Sequence, residues 1–348
     1  MEAVIVDNEI DWGELQFEYI DTHASFSARY KEGQWETGAL TEDSYVSVHE
    51  GSTGVHYAQQ CFEGMKAFTA RDGRVLLFRP DMNWERMRRT CERLMIPPVP
   101  RELFFDGIIQ CIQRNADFVP PYGSGASLYI RPFVIGVGRN LGLRPAPEFL
   151  FRVFVSPVGP YFKGNEQAPI TLAVVDFDRS ATRGTGHVKA GANYAGALLA
   201  SATAREQGAD EALFLDSRQN RYIDEAGSSN ILIVTDEALL VPTSPAVLPG
   251  ITRMSAIEVA REELALNVVE RPVGLLDEMH TFVEVAAAGT AATLIPVGAI
   301  QVDGETHTFY NGGATAGPVT EQLYKILTAI QTGDREDKFG WIHTVEIA

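Results

Sequence analysis

The chain has 348 residues, of which 45% are hydrophobic and 22% charged, and this is typical of a globular protein with two core-bearing domains. Its formal net charge of -17 opposes nucleic-acid binding, because a phosphate backbone repels an acidic surface. No stretch approaches the roughly 18 apolar residues of a membrane span, and the acidic start MEAVIVDNEIDWGEL is unlike a signal peptide. We therefore expect a cytoplasmic protein with no membrane or nucleic-acid partner.

The first part of the chain is predicted to mix strands with two helices. In NWERMRRTCERLM, apolar residues recur at helical spacing and predict a helix with one face in the core. ELFFDGIIQCIQRN predicts a second helix, and SLYIRPFVIGVG and FLFRVFVSPVG predict long strands. The only three cysteines, which form no C-x-x-C pair, are predicted to be free buried thiols. Glycine and proline then accumulate, so we predict an N-terminal domain over residues 1–157 and a linker over 158–169.

The second part, residues 170–348, is predicted to form a C-terminal domain. It begins with the strand ITLAVVDF, a glycine-rich loop and the alanine-rich helix NYAGALLASATAREQG, which ends at Gly208. EALFLD, RYIDE and SNILIVTD predict strands, ITRMSAIEVAREELAL a helix, and TFVEVAAAG a buried strand that continues towards TAATLIPV. Because strands and helices mix without a regular βαβ repeat, the predicted fold class is α+β.

One lysine, Lys189, stands in the glycine-rich stretch GTGHVKAGANYAG, although the chain has only six lysines. Glycines allow the backbone to approach a bound group closely, and a neutral lysine amine forms Schiff bases with carbonyls such as pyridoxal phosphate. A solvent-exposed lysine is the alternative. A phosphate-binding loop of the GxxxxGK[ST] type is excluded, because Val188 precedes the lysine and Ala190 follows it.

A pyridoxal enzyme also needs an acid beside the pyridine nitrogen and a cradle for the phosphate. Glu225, at the end of RYIDE, is the candidate acid, and an exposed edge carboxylate is the alternative. Gly250 directly precedes a predicted helix, which leaves the amides of Ile251 and Thr252 available to an anion at the helix N-terminus. A plain helix cap is the competing role for Thr252.

With these residues in hand, the chain resembles the branched-chain amino-acid aminotransferases, which are pyridoxal-phosphate enzymes of fold type IV. Seven segments follow the order of that family's pattern along nearly the whole chain: HYAQQCFEGMKAF, LFRPDMNWERM, SLYIRPF, GHVKAGANYAGALLA, DEAGSSN, LPGITR and GTAATLIPV. The resemblance implies a two-domain α+β fold like that of D-amino-acid aminotransferase. It also implies pyridoxal 5'-phosphate as the cofactor and a homodimer.

The resemblance also implies roles for residues around the cofactor. Lys189 would bind it covalently and then move the substrate α-proton. Tyr194 would contact the ring oxygen, and Glu225 the pyridinium nitrogen. The remaining implied cofactor residues are Arg86, Ser228, Ile251, Thr252 and Thr290. Only the resemblance selects Arg86 over Arg88 and Arg89, for which a solvated helix face is the alternative.

For the substrate, the resemblance implies a turn at Thr290, Ala291 and Ala292 whose amides bind the α-carboxylate, assisted by Tyr57 and Arg131. Arg131 would also meet the distal carboxylate of glutamate, with a structural salt bridge as the alternative. The implied walls of the apolar side-chain pocket, for which core positions are the alternative, are Phe62, Tyr129, Tyr161 and Tyr194. The linker would act as a mobile flap, and AATL replaces the C-x-x-C redox switch of some relatives.

The predicted reaction is transamination of leucine, isoleucine or valine with 2-oxoglutarate. A D-amino-acid aminotransferase, an amine transaminase and an aminodeoxychorismate lyase are the alternatives within the fold. A non-catalytic binding protein is a further alternative. A nicotinamide oxidoreductase is disfavoured, because the spacing of Gly136, Gly138 and Gly142 exceeds GxGxxG by one residue. A serine hydrolase is disfavoured because no G-x-S-x-G is present.

Overall fold

A computed structural model describes residues 5–6, 9–160 and 167–347. In chain order its strands are β1 Ile5–Val6, β2 Glu9–Ile10, β3 Ser25–Lys31, β4 Gln34–Trp35, β5 Ala39–Thr41, β6 Gln60–Phe62, β7 Met65–Thr69, β8 Val75–Phe78, β9 Ser127–Gly136, β10 Phe149–Val158, β11 Ile170–Val174, β12 Glu211–Leu215, β13 Ile223–Ala226, β14 Asn230–Val234, β15 Leu239–Pro242, β16 Val268–Arg271, β17 Glu284–Gly289, β18 Thr293–Val302, β19 Glu305–Thr308 and β20 Ile342–Val345. The α-helices are α1 Thr53–His56, α2 Pro80–Arg93, α3 Arg101–Arg114, α4 Gly191–Glu206, α5 Ile251–Glu262, α6 Leu275–Glu278 and α7 Pro318–Gln331. Short 3-10 helices cover Ala116–Phe118, Met279–Thr281 and Tyr310–Gly313.

The chain divides into two compact units. The first comprises Met1–Lys163, Lys189–Gly191 and Ala329–Ala348, and the second comprises Gly164–Val188 and Ala192–Thr328. Two segments that the sequence assigned to the C-terminal domain thus belong to the first unit. The tail does so because β20 pairs with β8, and the lysine segment because Ala190 forms a β-bridge with Cys61. Of the predicted linker, residues 161–166 lie outside the described residues, and Tyr161 is among them.

The first unit contains a nine-stranded sheet in the order β20-β8-β7-β9-β10-β3-β4, with β5 on β3 and β6 on β9. The long strands β9 and β10 pair antiparallel over ten residues, from Phe149↔Gly136 to Val158↔Ser127. The predicted helix in NWERMRRTCERLM is confirmed as α2. Met87 and Cys91 are buried in the core. Trp84 and Leu94, the other two members of the predicted apolar face, pack against that core.

The second unit contains a mixed sheet in the order β13-β12-β11-β18-β17-β14-β15-β16, with β19 on β18. Helix α4 connects the parallel strands β11 and β12, and helix α5 connects the parallel strands β15 and β16. Two local βαβ units are therefore present. The sequence had shown no regular repeat of this kind. The other paired strands are antiparallel apart from β11/β18, which keeps the fold in the α+β class. As predicted, α4 is followed by Gly208, whose φ of +81° suits glycine.

Helix α7 in the second part of the chain was not predicted from the sequence. Its start is held by the buried carboxylate of Glu284 on β17, which accepts hydrogen bonds from the amides of Val319 (3.0 Å) and Thr320 (2.8 Å) and from the Thr320 hydroxyl (2.8 Å). The carboxylate satisfies amides that have no acceptor within the helix. Among the described residues, no helix combines the length and apolar composition that crossing a membrane requires.

The three cysteines are free and buried, as predicted. Cys61 on β6 and Cys91 on α2 lie side by side, with their sulfur atoms 3.6 Å apart. The hydrogen bond with the Cys91 thiol, together with burial, raises the pKa of Cys61 well above its ordinary value. Thiols in such apolar surroundings behave as small hydrophobic side chains.

Candidate active site

The backbone of Lys189 is fixed within the first unit from both sides. Its carbonyl oxygen accepts a hydrogen bond from the amide of Phe62 on β6 (3.3 Å), and its own amide donates to Thr90 Oγ1 on α2 (3.1 Å). The Thr90 hydroxyl in turn donates to the carbonyl of Arg86 one turn earlier (2.8 Å). The next residue, Ala190, is tied to Cys61 by a β-bridge. The lysine therefore leaves a rigid backbone, and its side chain is partly buried.

The side chain of Lys189 contacts the ring of Phe62, which also contacts Arg131. Its Nζ lies 4.8 Å from the centre of the Phe62 ring, and the guanidinium carbon of Arg131 lies 4.7 Å from the same centre. Arg131 Nη2 also donates to the hydroxyl of Tyr129 (3.2 Å), whose ring centre is 5.2 Å from the guanidinium carbon. A ring face attracts cations, so Phe62 can hold both positive groups despite their mutual repulsion.

Arg131 keeps a donor for a further group. Its Nε is buried and has no hydrogen-bond partner among the described residues. A buried donor without an acceptor costs about 1–3 kcal/mol, so an anion that accepts this bond gains from it. The predicted role of Arg131 in binding a carboxylate is chemically consistent with this arrangement.

Gly64 makes room for Tyr129. A Cβ at position 64 would collide with the Tyr129 hydroxyl. Glycine in CFEGM is therefore required by the close approach of the tyrosine to the chain after β6. The sequence motif contained this glycine, but only the structure shows which side chain needs it.

Arg86, predicted to bind the cofactor phosphate, forms a buried bidentate ion pair with Glu63. Arg86 Nε and Nη2 each lie 2.7 Å from a different oxygen of the carboxylate. Asn83 Nδ2 donates to the same carboxylate (2.8 Å) and to the carbonyl of Gly64 (3.2 Å). The predicted phosphate contact of Arg86 stays a prediction. Glu63 was not predicted from the sequence, although an acid between the apolar residues of CFEGM would need such a partner if buried.

In the second unit, Glu225 is buried on β13 and both of its oxygens are occupied. Oε1 pairs with Arg179 Nη1 (2.7 Å) and accepts from the Leu248 amide (3.2 Å), while Oε2 accepts from Asn230 Nδ2 (3.0 Å). The side chains of Arg179 and Glu225 are only 5% and 4% exposed. Glu225 is therefore no exposed edge carboxylate, and its orientation is set by three partners.

Asn230 connects Glu225 with the beginning of α5. Its Nδ2 also donates to the Leu248 carbonyl (2.9 Å), and a Cβ at Gly250 would collide with its Oδ1. Gly250 is the N-cap residue of α5, and no described side chain caps this helix. The first-turn amides of an α-helix have no acceptor within it, so Ile251 and Thr252 lie in an anion-binding position.

Thr290, Ala291 and Ala292 form the turn that the sequence predicted, between β17 and β18. This turn adjoins the loop that contains Ser228. A Cβ at Gly289, the last residue of β17, would lie 3.4 Å from Ser229 Cβ and 3.5 Å from the Ser228 carbonyl oxygen. The structure thus brings Ser228 close to the turn at Thr290.

The structure describes two further predicted site residues, both tyrosines. Tyr57 ends α1, is 46% exposed, and donates to the Leu141 carbonyl (2.8 Å). Tyr194 lies in the first turn of α4 and is partly buried. Tyr161 is outside the described residues. The roles proposed for these three tyrosines remain predictions.

A family model described as "Amino-transferase class IV" matches residues 60–300. The chain belongs to the class IV aminotransferases. The matched region runs from β6 to β18, so it includes both the group around Phe62 and the group around Glu225.

Two bacterial proteins named branched-chain-amino-acid aminotransferase are similar to this class IV aminotransferase over nearly their whole length. The protein of Haemophilus influenzae is 47% identical over 344 residues, which cover 97% of this chain and 99% of the relative. That of Helicobacter pylori is 45% identical over 338 residues, which cover 97% and 98%.

Solved structures agree with the fold of this class IV aminotransferase. The T.th. branched-chain amino acid aminotransferase complexed with N-(5'-phosphopyridoxyl)-L-glutamate has a TM-score of 0.76 at 27% identity, covering 94% of this chain and 100% of that chain. The Escherichia coli branched-chain amino acid aminotransferase has a TM-score of 0.72 at 27% identity, covering 93% and 99%. The predicted fold type IV is therefore confirmed.

Proposed function

We propose that this chain transfers the amino group of branched-chain L-amino acids (leucine, isoleucine and valine) to 2-oxoglutarate, with pyridoxal 5'-phosphate as cofactor. The products are the branched-chain 2-oxo acids and glutamate. The relatives that carry the name branched-chain-amino-acid aminotransferase support the substrate class, because they are similar over nearly the entire chain. Within the structure, the observation that carries the proposal is the anchored Lys189. Its Nζ contacts the Phe62 ring, which the Arg131 guanidinium also contacts.

The residues present fit this cofactor. The uncapped start of α5 offers the amides of Ile251 and Thr252 to a phosphate, and the helix dipole favours the negative charge. Glu225 is a buried carboxylate in a fixed orientation, as needed opposite a pyridinium nitrogen. Lys189 supplies the amine. We assign Arg86, Ser228, Tyr194 and Thr290 to the same cofactor, as the family resemblance implies.

Bound pyridoxal phosphate supplies an aldehyde that takes up the amino group and a ring that withdraws electrons from the substrate α-carbon. Lys189 Nζ accepts the proton from that carbon, as a general base held on a rigid backbone. The negative charge of Glu225 would favour protonation of the pyridine nitrogen of a bound cofactor. The hydrogen bonds from Asn230 and Leu248 keep its two oxygens in place.

For the substrate, we assign the amides of the turn 290–292 to the α-carboxylate, with Tyr57 assisting. Phe62 and Tyr129 present ring surface to a branched apolar side chain, together with Tyr161 and Tyr194. Arg131 meets the distal carboxylate of glutamate or 2-oxoglutarate through donors such as Nε, which has no partner within the described part of the chain. One pocket can thus alternate between an apolar and an acidic side chain, because the cation lies beside the aromatic rings.

We also propose a cytoplasmic homodimer with no nucleic-acid partner, in which residues 158–169 act as a flap. The net charge of -17 supports the absence of a nucleic-acid partner. Sedimentation equilibrium tests the dimer, and a monomer at micromolar concentration would contradict it.

The deciding experiment is a paired assay of L-leucine and D-alanine with 2-oxoglutarate. We expect turnover of leucine and a visible absorbance band of lysine-bound cofactor, both lost in Lys189→Ala. Lys325→Ala is the control, because Lys325 is an exposed lysine paired with Glu321 and should leave both signals unchanged. Turnover of D-alanine alone would indicate a D-amino-acid aminotransferase. A chain that binds no cofactor would indicate a non-catalytic protein.

A further inference from the structure

Asn193, in the first turn of α4, holds the turn that precedes Lys189. It is buried, and its Oδ1 accepts a hydrogen bond from the Thr185 hydroxyl (2.6 Å). Its Nδ2 donates to the carbonyl oxygens of Thr185 (2.7 Å) and Val188 (3.0 Å). An asparagine amide has two donor hydrogens, and here both go to the turn 185–188.

The turn 185–188 is also closed by its own backbone. The Val188 amide donates to the Thr185 carbonyl (3.1 Å). Gly186 is buried, and a Cβ at this position would lie only 2.2 Å from the carbonyl oxygen of Ala246, in the loop before α5. The turn therefore has little room to move while both of its ends stay bonded.

A second buried side chain connects this turn with Glu225. Arg179 Nη1 donates to the Gly186 carbonyl (3.3 Å) and pairs with Glu225 Oε1 (2.7 Å). The turn is thus bonded to Asn193 and also to the ion-pair partner of the acid assigned to the cofactor. All of these residues belong to the second unit.

The neighbours of this network along the chain are groups assigned to the cofactor. Lys189 directly follows Val188, and Tyr194 directly follows Asn193. The amine, the tyrosine and the acid are thereby all connected to one short turn. Groups that must meet one rigid ring need fixed mutual positions, and a misplacement of about 1 Å can cost about a hundredfold in rate.

We propose that Asn193 is a positioning residue of the cofactor site. Its carboxamide holds the turn 185–188, from which the chain enters Lys189. It thereby keeps the amine in position for the ring that Tyr194 and Glu225 also meet. This inference rests on the proposed function, because it concerns the site assigned there to pyridoxal phosphate. Asn193 itself contacts neither cofactor nor substrate in this assignment.

The test compares the binding of two compounds that differ only in the group that Lys189 takes up. Pyridoxal phosphate carries an aldehyde, and deoxypyridoxine phosphate carries a methyl group in its place. Both share the contacts of the ring and the phosphate, so the preference for pyridoxal phosphate, measured as a ratio of dissociation constants, isolates the lysine. For the full chain with Asn193→Ala, we expect this preference to fall about threefold to tenfold, because fewer molecules present the amine correctly.

Asn115→Ala is the matched control. Asn115 is buried in the first unit, and its carboxamide also makes one accepted and two donated bonds. It accepts from the Ala24 amide (3.1 Å) and donates to the carbonyls of Ala24 (2.8 Å) and Cys111 (2.7 Å). The control should destabilise the fold in urea, as Asn193→Ala does, but leave the preference for pyridoxal phosphate unchanged.

Thr185→Val provides a milder route to the same effect. It removes one bond to Asn193 and leaves the carboxamide in place. It should reproduce part of the loss in preference, and adding it to Asn193→Ala should cost little more, because the bond is then already absent. Losses that simply add would contradict a shared action through this bond.

An unchanged preference in Asn193→Ala, or an equal fall in Asn115→Ala, would overturn the inference, provided that the wild type prefers pyridoxal phosphate. If the wild type shows no such preference, the proposed function fails, and amide hydrogen exchange in the chain alone then tests Asn193. Faster exchange at Val188 in Asn193→Ala than in Asn115→Ala supports the hold on the turn. Equal exchange rates contradict it.

Discussion

Lys189 and Phe62 are joined twice, although 126 residues of chain separate them. The Phe62 amide donates to the Lys189 carbonyl, and the lysine Nζ lies 4.8 Å from the centre of the phenylalanine ring. The first contact fixes the backbone from which the amine projects, and the second restricts where the amine can lie. A catalytic amine must be held close to its productive position, so both contacts should matter for rate.

Replacing Phe62 by leucine should lower kcat/KM for leucine about threefold to thirtyfold. Leucine keeps an apolar side chain but removes the ring face that holds the two cations, an interaction of roughly 0.5–2 kcal/mol. Steady-state kinetics measure this effect. Phe118→Leu is the control, because that ring packs on the core beside His23 and should leave the kinetics unchanged. Equal losses in the two variants would indicate a general packing effect.

Replacing Thr90 by valine should weaken the anchoring of Lys189. Valine has nearly the same shape as threonine but cannot accept the hydrogen bond from the Lys189 amide. An amide that loses its acceptor in the interior costs about 1–3 kcal/mol. The free energy of unfolding in urea should fall by that amount, with a loss in kcat. Thr90→Ser restores the hydroxyl and should recover most of both. If serine and valine behave alike, the hydroxyl is not the anchor.

Replacing Gly64 by alanine should displace Tyr129, because the new Cβ would collide with its hydroxyl. Arg131 donates to that hydroxyl, so we expect the KM for 2-oxoglutarate to rise about tenfold, the cost of one charge-assisted bond. Tyr129→Phe alone removes the same bond from Arg131 and should raise this KM by a similar factor, so adding it to Gly64→Ala should cost little more. Gly142→Ala is the control, because nothing lies within 4 Å of a Cβ there. If the losses of Gly64→Ala and Tyr129→Phe simply add in the double variant, they do not act through the same bond, and the explanation is wrong.

Replacing Glu225 by glutamine should cost stability as well as activity. It leaves the buried guanidinium of Arg179 without its charge partner, which typically costs about 3–5 kcal/mol. Urea unfolding of the chain without cofactor measures this loss. Combining the change with Arg179→Met should restore part of the stability but none of the turnover, because the carboxylate is still absent. Strict additivity of the two unfolding energies would show that the residues are not coupled.

The titration of Glu211 should make the fold less stable as the pH rises. Burial raises its pKa to about 7 in the folded chain, against an ordinary 4.5, so the folded state binds more protons than the unfolded state between these values. The stabilising contribution is complete below about pH 4.5 and is lost as the pH passes about 7. From pH 4.5 to 8, the unfolding free energy of Glu211→Gln should shift relative to wild type by up to roughly 3 kcal/mol in favour of the variant.

Several local features of this protein could be derived from the sequence alone. The apolar spacing in α2 predicts which face of that helix enters the core, since Met87 and Cys91 are buried. Gly208 ends α4 with a positive φ, as its place after an alanine-rich helix predicts. Helix periodicity, glycine conformation and turn preference act over a few neighbouring residues, so they can be read in order along the chain.

The partners of the site residues were decided by tertiary structure. Thr90 supports Lys189, Glu63 pairs with Arg86, and Arg179 pairs with Glu225, and none of the three supporting residues was predicted. The same holds for the tail, whose strand β20 returns to pair with β8 in the first unit. Such contacts join residues that are far apart in the chain, and their geometry depends on how whole sheets and helices pack. The sequence therefore determined which chemical groups are available, whereas packing decided which of them hold one another in place.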